Sequence, residues 1–302
     1  MFPFLCLARY PLPVTLSVVI ITYNEEANIG RALGSVMPLV GGGKGEIIVV
    51  DSGSTDRTVE IAKSFGAKVH VEQWKGYAGQ KNSGFDKATG DWILSLDADE
   101  EADAELIEEL RGRHATKESI AKPESGEWGL PVEGAGQASG SLDIPKGGAV
   151  GFSIPRKNFF LGRWIEHGGF WPDPKLRLFH RGYGRIEERS VHETIQANGR
   201  VVGIDRGALI HHSYPTLSDY IDHMNRYSSL AAEMAVAHGP RSFSVLNILL
   251  RPVATFLYNY FFRLGFLDGR EGLLLHLYHA VYVSWKYAKA WELSHSKKTL
   301  RP

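Results

Sequence analysis

Apolar positions in the first hundred residues fall into short unbroken runs. Leu16-Ser17-Val18-Val19-Ile20-Ile21, Glu46-Ile47-Ile48-Val49-Val50 and Trp92-Ile93-Leu94-Ser95-Leu96 are rich in β-branched and large aliphatic residues. Runs of this length mark strands buried on both faces, as in a parallel sheet. A shorter strand is predicted at Ala67-Lys68-Val69-His70-Val71. Helices are predicted at about 27–36 and 56–65. A third follows a polar, Gly-containing turn from Gly76 to Asn82 and runs to about Thr89. Strands alternating with helices at this spacing predict βαβ units, an α/β fold with a Rossmann-like, mostly parallel sheet and flanking helices. Glu100 to Glu109 reads as a solvated helix.

The pattern then changes. Residues 115–150 are dominated by Gly, Ser, Pro, Lys and Glu and read as a flexible excursion. Regular structure is expected to resume at Gly151-Phe152-Ser153-Ile154-Pro155-Arg156. An aromatic, Gly-rich block spans 158–173, and Lys175-Leu176-Arg177-Leu178-Phe179 alternates like a half-buried strand. Ala208-Leu209-Ile210-His211-His212-Ser213-Tyr214 precedes a helix at 217–238. Phe243 to Phe262 holds Arg251 as its single charge and is divided at Arg251-Pro252; Leu273 to Trp285 is a second apolar run. Neither is a clean span, which needs ~20 apolar residues. Basic residues at 263, 270, 286, 289, 297, 298 and 301 border them. Aromatic-rich helices with basic ends fit an anionic membrane surface; a packed helical layer is the alternative.

The expected plan is a leader at 1–15, a catalytic domain at 16–240 with the 115–150 insertion, and C-terminal amphipathic helices at 241–302. The leader is apolar but holds three prolines, and its basic residue, Arg9, follows the apolar part, so it lacks the order of a signal peptide. Lys+Arg and Asp+Glu are each 34, which leaves no global field for nucleic acid. The single cysteine, Cys6, excludes an internal disulfide and suits a reducing compartment.

Candidate chemistry begins at Asp97-Ala98-Asp99-Glu100-Glu101. In an extended segment i and i+2 point to one side, so Asp97 and Asp99 can aim at one point past the end of a buried strand. Ligands of open α/β sheets bind outside the carboxyl ends of the strands. Two hard oxygen ligands suit Mg²⁺ or Mn²⁺. A helix-start acid cluster is the plain alternative. A calcium loop is discounted because its sixth position, which needs Gly, is Ala102. Spacing alone leaves the pair open between a metal site and decoration.

Four elements stand in order: a strand with Thr22-Tyr23-Asn24-Glu25-Glu26, a strand with Asp51-Ser52-Gly53-Ser54-Thr55-Asp56, a strand with Asp97-Ala98-Asp99, and Val191-His192-Glu193. The ordered set resembles the family-2 glycosyltransferases, with their nucleotide-sugar-binding A-type fold. The core resemblance covers about 16–110, and a looser one reaches 290. Arg163-Trp164-Ile165, Pro172-Asp173, Arg177-Leu178-Phe179 and Gly265 to Gly272 resemble the bacterial β-glucosyltransferases that extend the lipopolysaccharide inner core. The Gly-rich stretch near 123–148 is longer than that branch leads one to expect, and it puts the acceptor in doubt.

The resemblance implies roles. The Thr22-Tyr23 corner would hold the donor, with Tyr23 against the uracil of a UDP-sugar. Glu25 or Glu26 and Asp51 would hold base and ribose, and Lys81 or Asn82 would touch phosphate or sugar. Asp97 and Asp99 would hold the metal on the diphosphate, and His211 matches a position where a histidine can join it. For Lys81 a solvated surface role, and for His211 a core role, stays open. Glu193 is the candidate base, with Asp173 as runner-up. The implied activity is inverting, metal-dependent transfer of a sugar, glucose on this resemblance, from a UDP-sugar to a lipopolysaccharide core or other lipid-linked glycan. The implied place is the cytoplasmic face of the inner membrane, held peripherally.

A nucleotidyltransferase wants a basic Gly-rich loop after the first strand, where this chain has Tyr-Asn-Glu-Glu. A processive synthase wants Gln-x-x-Arg-Trp and several spanning helices, and neither is present. A polyprenyl-phosphate glycosyltransferase and a non-catalytic nucleotide-sugar-binding module remain as alternatives.

Overall fold

The structure is a computed structural model that describes residues 15–43, 45–114, 148–187 and 194–299. It divides into two compact units, Met1–Arg156 with Pro174–Ile210, and Lys157–Asp173 with His211–Pro302. The expected leader and most of the 115–150 excursion lie outside the described residues, as does Val191-His192-Glu193.

The first half of the chain is the βαβ series that the apolar runs predict. It runs β1 (Leu16–Thr22), α1 (Ile29–Val40), β2 (Gly45–Asp51), α2 (Thr58–Ser64), β3 (Lys68–Val71), α3 (Gly76–Lys87), β4 (Trp92–Asp97), β5 (Glu100–Ala102) and α4 (Ala104–His114). There follow β6 (Gly151–Ile154), β7 (Arg156–Phe160), β8 (Arg163–Trp164), β9 (Lys175–His180), β10 (Gly184–Ile186), β11 (Ile195–Ala197), β12 (Val201–Gly203) and β13 (Leu209–Tyr214). The helices α5 (Leu217–Ala237), α6 (Arg251–Leu257) and α7 (Gly269–Thr299) close the chain.

A seven-stranded sheet in the order β12-β6-β9-β4-β1-β2-β3 organises the first unit. β1 pairs in parallel with β2 and β4, and β2 with β3. β9 runs antiparallel between β4 and β6, so the sheet is parallel on one side and mixed on the other. Burial follows the apolar runs: Val18, Ile20, Val49, Leu94 and Leu96 pack with Leu33 and Val36 of α1 on one face. Val19, Ile48, Val50 and Ile93 pack with Phe85 of α3 on the other.

Two local expectations differ. The polar stretch from Gly76 is the first turn of α3 itself, not a turn before it. Gly84 serves packing: a Cβ there would lie 2.4 Å from Val19 Cγ1, so the bare backbone lets α3 lie close on β1. The segment 100–109 is not a single solvated helix. Glu100–Ala102 is extended, and α4 buries Leu106, Ile107 and Leu110 against the sheet.

In the second unit β7 and β8 form a hairpin, with β13 beside β7. Its core is Phe160, Ile165, Tyr220 and Leu275, with Phe170, Met224 and Tyr278 packed around them. Thr216 and Asp219 close a reciprocal cap on α5, each side chain bonding the other's backbone N–H. Asp268 is buried, and its carboxylate lies 2.8 Å from His167 Nδ1 and accepts the His167 backbone N–H at 2.9 Å. The blocks at 163–165 and 265–272 are thus joined in space. Among the described residues no helix is long and apolar enough to cross a membrane.

Candidate active site

The carboxyl ends of β1, β2 and β4 meet at one edge of the sheet. The corners after β1 and β2 interlock there. Asn24 takes a left-handed backbone (φ 53), donates its N–H to Ser54 Oγ at 2.8 Å, and accepts the Thr55 N–H on Oδ1 at 2.8 Å. Glu25 N–H donates to Thr58 Oγ1 at 2.7 Å. Glu26 accepts the Arg57 N–H at 3.0 Å, while its own N–H donates to Asp56 Oδ2 at 3.1 Å. Asp56 also caps α2 by accepting the Thr58 N–H at 3.0 Å. Thr22 is buried at the end of β1, and Tyr23, 57% exposed, stands out from this edge.

Several residues expected to touch ligand are already committed to the protein. Asp51 is fully buried, and its carboxylate accepts the N–H groups of Gly53 and Ser54 at 2.9 Å and the Ser54 hydroxyl at 2.5 Å. It builds the turn after β2, so any contact with base or ribose comes from that turn as a whole. Glu26 likewise serves α2. Asn82 is a clamp: its amide donates to the Ile186 carbonyl at 2.8 Å and accepts the Ile186 N–H at 3.1 Å, both buried. With both polar ends spent on β10, Asn82 does not face a donor phosphate or sugar.

Asp97 is the centre of a charged cluster. Lys81 Nζ of α3 lies 2.6 Å from Oδ1, and Arg177 Nη2 of β9 lies 2.5 Å from Oδ2. The same Arg177 nitrogen lies 2.6 Å from Glu100 Oε1, which Arg156 also meets at 3.2 Å. Glu100 closes the loop by accepting the Asp97 backbone N–H on Oε2 at 3.1 Å. Burial disfavours charge on Asp97, but Arg177 and Lys81 outweigh it and hold the carboxyl well below the usual range. Burial also opposes the charge on Arg177, and Asp97 and Glu100 overcome it, raising the guanidinium's pKa.

The sequence reading gives Arg177 a place in the Arg177-Leu178-Phe179 block of the resemblance but no role at the site, and gives Glu100 and Arg156 none there. The signals in the sequence are that block and Arg177 itself, a charge within a strand of apolar residues; such a side chain is buried only when paired, as it is here.

The donor set separates the two aspartates as metal ligands. Both Asp97 oxygens are matched by cations, so a divalent ion there must displace Lys81 or Arg177. Asp99 is placed differently. Burial raises the pKa of Glu25, and the nearby charges of Asp99 and Asp56 raise it further against an opposing hydrogen bond from Asn28. Carboxylates that repel one another fit a cation between them. Among the described residues no three His, Cys, Asp or Glu side chains form a ready cage. Mg²⁺ sites commonly use one or two carboxylates, with substrate phosphates and water completing the shell. A divalent ion at Asp97 would have to exchange Lys81 or Arg177, whereas Asp99 adds to the negative charge felt by Glu25.

His211 and Asp173 belong to the second unit, where one hydrogen-bonded chain joins them. Asn158 Oδ1 lies 2.8 Å from His211 Nδ1, and Asn158 Nδ2 donates to Asp173 Oδ2 at 3.2 Å. Ser213 Oγ shares His211 Nδ1 at 2.8 Å. With Nδ1 committed, a metal would have to meet His211 at Nε2. His212, next along β13, turns to the other side and lies against Phe159, ring centres 5.6 Å apart. Asp173 itself has a left-handed backbone (φ 38).

The family profile "Glycosyl transferase family 2" matches residues 17–131. The chain is similar to a lipopolysaccharide core biosynthesis glycosyltransferase, LpsC, of Rhizobium meliloti, 30% identical over 260 residues, or 84% of this chain and 82% of that one. It is also similar to a glycosyltransferase of Rickettsia typhi, 30% identical over 290 residues, or 92% of this chain and 87% of the relative. Among solved structures, glucosyl-3-phosphoglycerate synthase of Mycobacterium tuberculosis, crystallised with Mn²⁺, UDP and glucosyl-3-phosphoglycerate, is 31% identical. That match covers 35% of this chain and 42% of that one, with a TM-score of 0.30.

Proposed function

The chain belongs to glycosyl transferase family 2 and is a glycosyltransferase, and from that premise we propose that it moves a sugar, glucose in the first instance, from a UDP-sugar to a hydroxyl of a lipid-linked glycan such as a lipopolysaccharide core, with inversion. The observation that carries the donor side is the charged cluster on Asp97 at the carboxyl ends of the strands. It fixes the end of β4 from two sides, directly before Asp99. The LpsC relative supports the acceptor class.

Residue roles follow from placement and chemistry. Tyr23, standing exposed beyond β1, offers an aromatic face to the uracil. The interlocked corners at 22–26 and 51–58 present backbone and side-chain groups to base and ribose. Asp99 would hold Mg²⁺ or Mn²⁺, with His211 as a second candidate. When bound, such an ion neutralises the leaving diphosphate as a Lewis acid. Glu193, outside the described residues, is proposed to take the proton of the acceptor hydroxyl. The hydroxyl oxygen then bonds to the anomeric carbon, and the bond to the diphosphate oxygen breaks with its electron pair leaving on UDP. Asp173 is the alternative base.

The experiment is a screen of UDP-glucose, UDP-galactose, GDP-mannose and free UDP for protection against thermal unfolding, with Mn²⁺ or with chelator. A true ligand raises stability by RT ln(1 + [L]/Kd), ~2.7 kcal/mol at a hundred times Kd. Metal-dependent protection by a UDP-sugar alone supports the donor, and protection by GDP-mannose alone overturns it. Turnover onto a lipid-linked glycan separates an enzyme from a non-catalytic binding module. Transfer onto a polyprenyl phosphate instead would identify the alternative acceptor.

A further inference from the structure

Thirteen of the twenty-three large apolar side chains that stand exposed among the described residues fall between Phe243 and Leu267. Eight of them lie along one helical run, a wide π-helical turn at Leu246–Leu250, then α6, then a second such turn at Tyr258–Phe262. Leu246, Leu249, Leu250, Val253 and Leu257 recur at the i, i+3, i+4, i+7 spacing of a single helical stripe. A helix on the surface of a folded domain turns such a stripe inward. Here the stripe faces outward: Leu246 is 63% exposed and Leu249 58%, and Phe262 prolongs it at 78%. The inward side is Pro252, which is buried, and Ile248, whose carbonyl accepts the Ser284 hydroxyl of α7 at 2.8 Å. Single exposed apolar residues need no explanation, but a contiguous face does.

Charge narrows what covers it. From residue 234 to 267 the charged side chains are Arg241, Arg251 and Arg263, with no Asp or Glu. A second copy across a two-fold axis would set these arginines against their own images, with no acid on the face to offset them. A spanning helix is excluded for this run, because one side packs on α7 and Arg251 interrupts it. An apolar stripe with aromatic residues and only cations beside it matches the interface of an anionic bilayer.

We propose that the face formed by 246–262 is a membrane-docking surface. The helical run lies in the plane of an anionic bilayer, its stripe immersed and its arginines at the level of the headgroups. This site is distinct from the second apolar run. Leu275, Ala280 and Ala290 of α7 are buried, and Lys289 donates to Asn225 Oδ1 and Ser228 Oγ of α5 at 2.6 and 2.8 Å. That helix is a packed layer rather than the contact. The proposal is independent of the transfer reaction.

The test is co-sedimentation of the full chain with vesicles of phosphatidylcholine and phosphatidylglycerol in equal parts, against pure phosphatidylcholine. Binding to the mixed vesicles at low salt, weakened by added salt, is expected. The pair Leu249→Ser with Phe262→Ser should lower partitioning by about tenfold for each side chain, with the thermal midpoint unchanged because both are exposed. Arg251→Gln with Arg263→Gln should reduce the preference for the anionic vesicles. Hydrogen exchange on the unsubstituted protein gives a reading that needs no variant, as amides of 246–262 should slow on adding mixed vesicles while those of α3 do not. Absence of binding at low salt overturns the proposal. So does binding indifferent to the Leu249/Phe262 pair, or a reversible dimer, seen by ultracentrifugation without lipid, that the same pair abolishes.

Discussion

Arg177 lies within β9 and Asp97 closes β4, 80 residues earlier, and Arg177 Nη2 stands 2.5 Å from Asp97 Oδ2. The antiparallel pairing of β9 with β4 brings them together. Because Arg177 also holds Glu100, whose other oxygen takes the Asp97 backbone N–H, one guanidinium fixes both the side chain and the backbone at the point where the strand ends. The Asp-x-Asp turn is therefore built before any ligand arrives.

Arg177→Gln removes one of two cations from the buried carboxylate of Glu100, leaving Arg156, and one of two from Asp97, leaving Lys81. Breaking a buried pair by deleting one partner costs ~3–5 kcal/mol. Chemical denaturation should show a loss of that order, and turnover should fall with it. Arg177→Lys keeps the charge but not the planar fork that spans two acids, so it should lie between the two. A Gln variant as stable and active as the parent would show that the cluster does not position Asp97.

What the sequence discloses here depends on the range of the interaction. The buried strands were legible because each is recorded in its own run: Val18 to Ile20, Ile48 to Val50 and Ile93 to Leu96 sit in the sheet as their apolar composition requires. The site's frame was not. Nothing local to Arg177 says that it meets Asp97 and Glu100, since the partners are chosen by strand order. The polar stretch from Gly76 to Asn82 reads as a turn because glycine disfavours helix, and the packing of α3 on β1, closest where Gly84 meets Val19, overrode that preference. Asn82 and Asp51 share a difficulty. A polar residue near a binding edge looks the same in sequence whether it holds a ligand or a neighbouring backbone.

Asn82→Ala should therefore act as a stability variant. It strands the buried N–H and carbonyl of Ile186. Each orphaned group costs ~1–3 kcal/mol, so a total of ~2–6 kcal/mol is expected by urea titration. Donor affinity of the folded fraction should be unchanged. A loss of UDP affinity without a loss of stability would return Asn82 to the ligand.

Glu46 sets a pH dependence remote from the site. Its carboxylate accepts the Ser17 hydroxyl at 2.7 Å and the Thr89 N–H at 2.7 Å, and pairs with Lys68 at 2.6 Å, tying β1, β2, β3 and the connection into β4. Burial opposes the charge, yet Lys68, Thr89 and Ser17 together bring its pKa down to about 2. A carboxyl lowered on folding stabilises above its unfolded pKa of ~4.3, and that stability is lost as pH falls toward the folded value. Stability measured from pH 5 down to 2 should fall by ~2–3 kcal/mol through this group. Glu46→Gln should flatten that part of the profile; an unaltered profile would remove Glu46 from the account.

The proposed base is tested by a pair. Glu193→Gln is nearly isosteric but cannot take the acceptor proton, and loss of a general base costs ~10²–10⁴ in rate. Donor protection in the thermal assay should persist. Asp173→Asn keeps its link to Asn158 and should cost little. If Asp173→Asn stops turnover and Glu193→Gln does not, the two assignments exchange.

The last prediction separates the two aspartates. Asp97 already balances Lys81 and Arg177, whereas Asp99 acts on Glu25 as one carboxylate repelling another. The variants should then fail in different ways. Asp97→Asn leaves Arg177 and Lys81 short of a counter-charge, so it should lower stability in the absence of any ligand. Because Asp97 keeps 29% side-chain exposure, the loss should be less than for a fully buried pair, ~1–3 kcal/mol. Asp99→Asn relieves a repulsion and removes the proposed metal ligand. In that variant Mn²⁺ should no longer increase protection by UDP. The thermal midpoint, read with UDP alone, with UDP and Mn²⁺, and with chelator, measures both effects without requiring turnover. If Asp97→Asn leaves the ligand-free midpoint in place and abolishes the Mn²⁺ effect, while Asp99→Asn keeps that effect, then Asp97 is the metal ligand and must exchange Lys81 or Arg177 for the ion when the donor binds.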